Sequence, residues 1–380
     1  MIIQIKPKWG FHLASFHRAY KLKQQLAARM LKRRSIHGIG VGLCDPSNPK
    51  KGAAVIVYAN ALSSTAKSKL KKSKRKSTSH LYLKDKSGVP IRIVKSTSFH
   101  KNGNVDIPRF RRRIRPVIAG YSIGTPNVSG TAGLIITDTR GKNRYVLSNN
   151  HVLVNENTGR CSKTLQPGGA DGGTVNKDRI GEMHRFVRLS KRRNNYLDAA
   201  TAKPLRRSLL KPSYAVFGTV PGHLRSYRIG DQFRKVGRTT GITKGTVESI
   251  HTDIRVGYGQ YGGLGTITFK NQSVIRGKQP VSLSGDSGSV WLTRRGNLAA
   301  AVNYAGSADG LLSISYPVEW FMQVFNTRVA LPGRKGRKVQ ASRPAHSRNY
   351  LFTQPLPPEL LRSIRTTAGN RCTSDNAKKV

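Results

Sequence analysis

A histidine, an acid and a serine stand in three short stretches: LSNNHVL around His151, NNYLDAATA around Asp198 and LSGDSGSVW around Ser287. Serine alone is a poor nucleophile. It needs a base within hydrogen-bond reach, and the base needs an orienting carboxylate. The order His, Asp, Ser is one of the few in which that triad occurs. The three lie 47 and 89 residues apart, enough chain for a small β-barrel around each half of a site. In GDSGS, glycines flank Asp286-Ser287. They let the backbone turn tightly, so that the N–H groups of Gly285 and Ser287 can face a substrate carbonyl. Each such donor contributes roughly 3–4 kcal/mol in comparable sites. Asp198 opens an apolar strand, where a buried carboxylate is costly unless paired. An imidazole N–H would resolve that cost. Taken singly, each stretch has an ordinary reading: a β-turn, a structural histidine, a paired core acid.

The elements that must position these residues are short and β-rich. From about residue 117, runs such as TAGLIITD, YVLSNN, FRKVGRTTG, GTVESIH, GTITFK, SVWLTRRGNLAAAVNY and LLSISY alternate with glycine-rich turns. Many short strands with regular turns argue for barrels or a sandwich. PVEWFMQVFNTR (317–328) reads as a closing helix, with Pro317 at its start and Trp320, Phe321, Val324 and Phe325 on one face.

The N-terminal part has another texture. Residues 11–34 read as a helix with basic residues between its apolar positions. IHGIGVGL follows as a strand whose glycines admit close backbone packing, and its glycine spacing does not fit a dinucleotide loop. AAVIVYA (53–59) and VPIRIVK (89–95) read as further strands, with the like-charged run KSKLKKSKRKS (67–77) between them as a loop. Residues 1–100 thus form a small basic α+β domain. Residues 101–116, ending RFRRRIRP, read as a basic linker. Residues 332–380 are basic, rich in Pro and Ser and poor in periodicity, and read as a largely disordered tail.

The formal net charge is +51, with pI ≈ 11.2. It is densest in the two flanks. Such a surface attracts polyanions, whether nucleic acid, an anionic membrane surface or envelope polymer, without specifying one. Cys44, Cys161 and Cys372 form no close pair and no Cys/His metal spacing. A disulfide framework and a structural zinc are therefore not expected, and neither is a cofactor. The start lacks the apolar run of a secretory signal, and no apolar stretch reaches membrane-spanning length. A reducing, cytoplasmic location follows as the expectation, with export by another route as the alternative.

The three chemical stretches together resemble elements of the chymotrypsin-like serine peptidases, in that family's order. KVGRTTGITKGTV (235–247) resembles the TTG segment of bacterial members such as the streptogrisin and α-lytic types, and GTAGLIIT (130–137) resembles the opening strand of the first barrel. With its N-terminal basic region and QPGGADGG loop (166–173), the chain looks like bacterial trypsin-like proteins related to the plant Narrow Leaf 1 group. The resemblance covers about residues 120–330. It implies a mainly β fold of two perpendicular six-stranded antiparallel barrels, about 120–208 and 212–316, closed by the 317–328 helix within a peptidase domain of residues 117–331. It implies Ser287 as nucleophile, His151 as general base and then acid, Asp198 as orienting acid, and Gly285 with Ser287 as oxyanion donors. Asn303, Tyr304, Ala305 and Gly306 become the edge that pairs with an extended peptide. Val281 stands where trypsins keep an acid, which implies a small or apolar residue at the cleavage site. A Lys or Arg paired with Asp286 would make activation by cleavage unnecessary. Alternatively, residues 1–116 form an inhibitory or folding segment.

The function implied is serine endopeptidase action on proteins or peptides. Two rivals stand beside it: a catalytically silent peptidase-fold protein that binds polyanions through its basic flanks, and an enzyme that cuts only its own linker.

Overall fold

A computed structural model describes residues 13–60, 81–84, 88–96, 98–100, 109–337 and 350–372. The 67–77 run, residues 101–108 of the linker, and residues 338–349 and 373–380 of the tail lie outside the described residues.

The chain is mainly β, in two large sheets. Six strands of the second half pair in a closed cycle: Gln232–Gly237, Val290–Thr293, Ala299–Ser307, Leu312–Pro317, Gly265–Arg276 and Gly241–Gly259, which returns to Gln232–Gly237. The first half supplies five strands of an eight-stranded sheet built around Leu134–Asp138, Arg144–Ser148, Ala200–Pro204 and Arg179–Val187, the other three coming from the C-terminal part. Among the described residues no pairing joins the two ends of that sheet, in contrast to the closed second half. The closing helix runs Val318–Phe325, shorter than 317–328. Asn326 ends it in the left-handed region, and Thr327–Leu331 returns as a strand on Leu134–Asp138.

The N-terminal segment does not stand apart as a domain. Ile36–Leu43 pairs antiparallel with Gly241–Gly259, so the sheet of the second half continues through Ile36–Leu43, Ala53–Ala59, Pro90–Lys95 and Leu81–Lys84. Glycine makes that junction possible. A Cβ on Gly40 would lie 2.3 Å from Thr252 Oγ1, and one on Gly42 2.6 Å from the Glu248 carbonyl oxygen. The Phe16–Met30 helix, capped by Ser15, lays Ala19, Leu22 and Ala27 on these strands.

The basic linker is also held in place. Phe110 is buried against Tyr121, and Arg113 Nε meets Asp178 Oδ1 at 3.0 Å. Gln166 clamps the same run: it donates to the Arg112 carbonyl at 3.0 Å and accepts from Ile114 N at 2.9 Å.

Residues 350–372 correct the reading of a disordered tail. Trp320 Nε1 donates to the Gln354 carbonyl at 2.7 Å, Leu356 is buried, and Pro358–Ser363 is helical. Thr366–Ala368 adds to the edge of Arg179–Val187, and Cys372 forms a disulfide with Cys161. Local periodicity missed this because the anchors are distant single residues. The disulfide also removes the cysteine-based ground for a reducing location, since such bonds persist mainly in oxidising compartments. Among the described residues no helix is long and apolar enough to cross a membrane.

Candidate active site

Strand register brings the histidine and the acid together. Ser148 pairs with Ala200, so the chain leaving Arg144–Ser148 passes Asp198 as it turns into the short Asn150–Leu153 helix. Asn149 Nδ2 fixes that turn by donating to the Asp198 carbonyl at 2.6 Å, and Asn150 Nδ2 donates to Asn157 Oδ1 and the Val187 carbonyl, both at 2.8 Å.

His151 Nδ1 lies 2.5 Å from Asp198 Oδ2. The carboxylate is fully buried, at 0% exposure, and has no lysine or arginine partner among the described residues. Its solvation comes instead from dipoles. Oδ1 accepts the backbone N–H of Asn150 at 2.6 Å and of His151 at 3.3 Å, and Oδ2 accepts the Tyr258 hydroxyl at 2.5 Å. Satisfied in this way, a buried carboxylate is tolerable. Tyr316 OH donates to the Asp198 carbonyl at 3.1 Å, and Tyr261 OH to Asn150 Oδ1 at 2.6 Å. Burial, reinforced by the Asp198 charge, pushes the hydroxyls of Tyr258, Tyr261, Tyr304 and Tyr316 well above the ordinary tyrosine value, so they remain protonated.

The serine comes from the other half. Ser287 sits between Gly285 and Gly288, whose φ values are 87° and 91°. A Cβ on Gly285 would meet Arg238 Nη1 at 2.5 Å, and one on Gly288 would meet Ser148 Oγ at 2.1 Å. The second contact shows how closely the Ser287 loop lies against the strand that leads to His151. Thr131 N donates to the Ser287 carbonyl at 2.7 Å, and Thr131 Oγ1 to the Gly285 carbonyl at 2.8 Å. The Thr239 hydroxyl donates to the Ser284 carbonyl. Those bonds turn the carbonyls of the loop inward. The N–H groups of Gly285 and Ser287 have no acceptor among the described residues.

Asp286 is the second wholly buried carboxylate of the site. It accepts N–H bonds from Thr239 at 2.9 Å, Thr240 at 3.0 Å and Leu283 at 3.0 Å, and Lys235 Nζ lies 3.7 Å away. Burial lowers the Lys235 ammonium pKa while the Asp286 charge opposes that shift.

Ser287 Oγ donates to the Tyr304 carbonyl at 3.3 Å. Among the described residues no hydrogen bond joins it to His151. Asn303 is spent internally: its amide donates to the Asp286 carbonyl at 3.0 Å and its oxygen accepts from Ser282 and Ser313. Ala305 pairs with Ile314. Gly306 and Ser307 carry a strand already, since they pair antiparallel with His100 and Phe99 of the chain itself. Val281 is 1% exposed in an apolar cluster with Tyr227 and Trp291, and its N–H is bonded to the Gly310 carbonyl. Sequence reasoning did not find Tyr258, Tyr261 or Tyr316. The only local signal was the tyrosine–glycine alternation of VGYGQYGG. Among the described residues no group of three His, Cys, Asp or Glu side chains is placed to hold a metal ion.

No protein-family model matches this chain, and no curated protein does. Solved structures do. A glutamic acid specific serine protease is similar at 19% identity and TM-score 0.41, over 56% of this chain and 100% of that one. A protease from Nocardiopsis is similar at 21% and 0.41, over 57% and 99%. A chymotrypsin from Cellulomonas bogoriensis is similar at 19% and 0.39, over 56% and 97%.

Proposed function

We propose that this chain is a serine endopeptidase of the chymotrypsin-like kind, with residues 117–331 as its catalytic part. The observation that carries the reading is the conjunction at one site of three things. His151 is bound to a buried Asp198, Ser287 lies on a turn between two glycines of positive φ, and two backbone N–H groups of that turn have no acceptor among the described residues. A structural histidine or an ordinary turn explains one of these, not all three.

Ser287 Oγ attacks the scissile carbonyl while His151 takes its proton. Asp198 keeps the imidazole in the tautomer whose free nitrogen faces the serine and stabilises the cation that forms. The carbonyl oxygen, now anionic, accepts from Gly285 and Ser287 N–H. The imidazolium then protonates the leaving amine, and water repeats the sequence to release the acyl group. The chain must first swing Ser287 Oγ from the Tyr304 carbonyl to His151. Catalytic hydrogen bonds commonly tighten only with substrate bound. The Lys235–Asp286 pair supplies within the chain the cation that would otherwise have to come from a freed amino terminus, so no cleavage is needed to form the turn.

That same Ser287–Tyr304 bond favours the rival reading, a peptidase-fold protein that binds without turnover. Peptide hydrolysis by the full chain, compared with Ser287→Ala, decides between them. The reading predicts cleavage of an unfolded protein substrate that vanishes in the variant. Equal cleavage by both would overturn it.

A further inference from the structure

We infer that Tyr258 is a positioning residue of the His151–Asp198 couple, holding by its hydroxyl the carboxylate oxygen that the imidazole uses. This rests on the peptidase reading above and adds a residue to it from the opposite half of the molecule.

Tyr258 ends the long Gly241–Gly259 strand, where Val256 and Gly257 pair with Ile267 and Thr266. It is fully buried, stacked on Phe269 and set nearly perpendicular to the His151 ring, with centroids 5.8 Å apart and an 81° interplanar angle. Its hydroxyl is 2.5 Å from Asp198 Oδ2, and His151 Nδ1 is 2.5 Å from the same atom. Oδ1, by contrast, is occupied by two backbone N–H groups of the first half. The tyrosine is therefore the one side chain other than His151 bonded to this carboxylate among the described residues. It ties the carboxylate itself to the second half, while Tyr316 ties the Asp198 carbonyl.

Two effects follow. The hydroxyl anchors Oδ2 so that the imidazole plane is set before substrate arrives. It also draws negative charge from the oxygen facing the imidazole, so its removal should strengthen the carboxylate's pull on an imidazolium. A purely structural tyrosine would do the first through its ring alone, and phenylalanine would replace it.

The test is Tyr258→Phe in the full chain, with kcat and kcat/KM followed across pH. Losing one donor to a charged group should lower kcat roughly ten-fold with KM unchanged. It should also move the acid limb of kcat/KM upward by about half a unit or more. Incorporating 3-fluorotyrosine at position 258, a stronger donor, should move the limb the opposite way. Thermal unfolding close to wild type shows that the fold is kept. A kcat and an acid limb both equal to wild type would overturn the inference. Titration of 15N-labelled imidazole at His151, in the Ser287→Ala background, needs no turnover. Tyr258→Phe should raise the pH at which His151 protonates, and an unchanged titration overturns the role of Tyr258. Should the wild type show no Ser287-dependent hydrolysis, it is the peptidase reading that fails, and the titration still decides on Tyr258.

Discussion

Asp198 and Asp286 are both fully buried, one in each half of the molecule, and the chain stabilises them in opposite ways. Asp286 is given three backbone N–H groups and a buried lysine, so a cation stands beside its charge. Asp198 is given two backbone N–H groups, a tyrosine hydroxyl and a histidine ring, and no fixed cation among the described residues. A carboxylate held beside a lysine is a structural lock, and here it ties the Ser287 turn to the Gln232–Gly237 strand. A carboxylate surrounded by dipoles alone still favours a positive charge beside it. That preference is what a histidine needs when it accepts a proton from a serine.

The largest effect that would test the contrast is on turnover. Asp198→Asn keeps the shape but offers the imidazole a group that supports the wrong tautomer, and kcat should fall about 10⁴-fold. Thermal unfolding should change far less, because the remaining donors are neutral. A kcat within a few-fold of wild type would show that Asp198 is an ordinary core acid.

The mirror experiment is on stability. Lys235→Met leaves Asp286 buried without its cation and should cost about 3–5 kcal/mol in urea unfolding, with loss of the ordered turn. Adding Asp286→Asn to it should restore part of that loss, since the uncompensated charge is gone. If Lys235→Met unfolds like wild type, the three backbone donors suffice and the two carboxylates are not so different.

A smaller effect separates burial from pairing. His251 is buried under the 350–372 segment, where its Nε2 meets the Phe352 carbonyl at 3.0 Å, and burial pushes its imidazole down to about 4. Its folded value lies below the unfolded one of about 6.5. The stability it contributes is therefore complete above about pH 6.5 and lost as pH falls toward 4, up to about 3 kcal/mol. His251→Phe should flatten that part of the stability–pH curve. An unchanged slope would assign the acid sensitivity elsewhere.

The residues of the proposed triad were legible in the sequence because each sits in a distinctive local setting: His151 after an apolar strand, Asp198 before one, Ser287 among glycines. A basic partner for Asp286 was legible as a residue type, and Lys235 has that place. Tyr258 was not legible, because it reaches Asp198 across 60 residues from a strand whose only visible feature was alternation with glycine. The same distance hid the junction of Ile36–Leu43 with Gly241–Gly259 and the pairing of Cys161 with Cys372, 211 residues on. Charge and proline content suggested disorder at the C-terminus, whereas a few single anchors, Leu356 and Gln354 among them, hold it to the Val318–Phe325 helix. The edge at Gly306 looked open because nothing in its sequence reveals that His100 pairs there.

The most direct test of the central claim is labelling of the full chain with a fluorophosphonate probe, read by intact mass and peptide mapping beside Ser287→Ala and Asp198→Asn. The account predicts one adduct, on Ser287, absent from the first variant and slowed strongly in the second. Well-folded wild-type protein that takes up no probe, or labels at another residue, would contradict it.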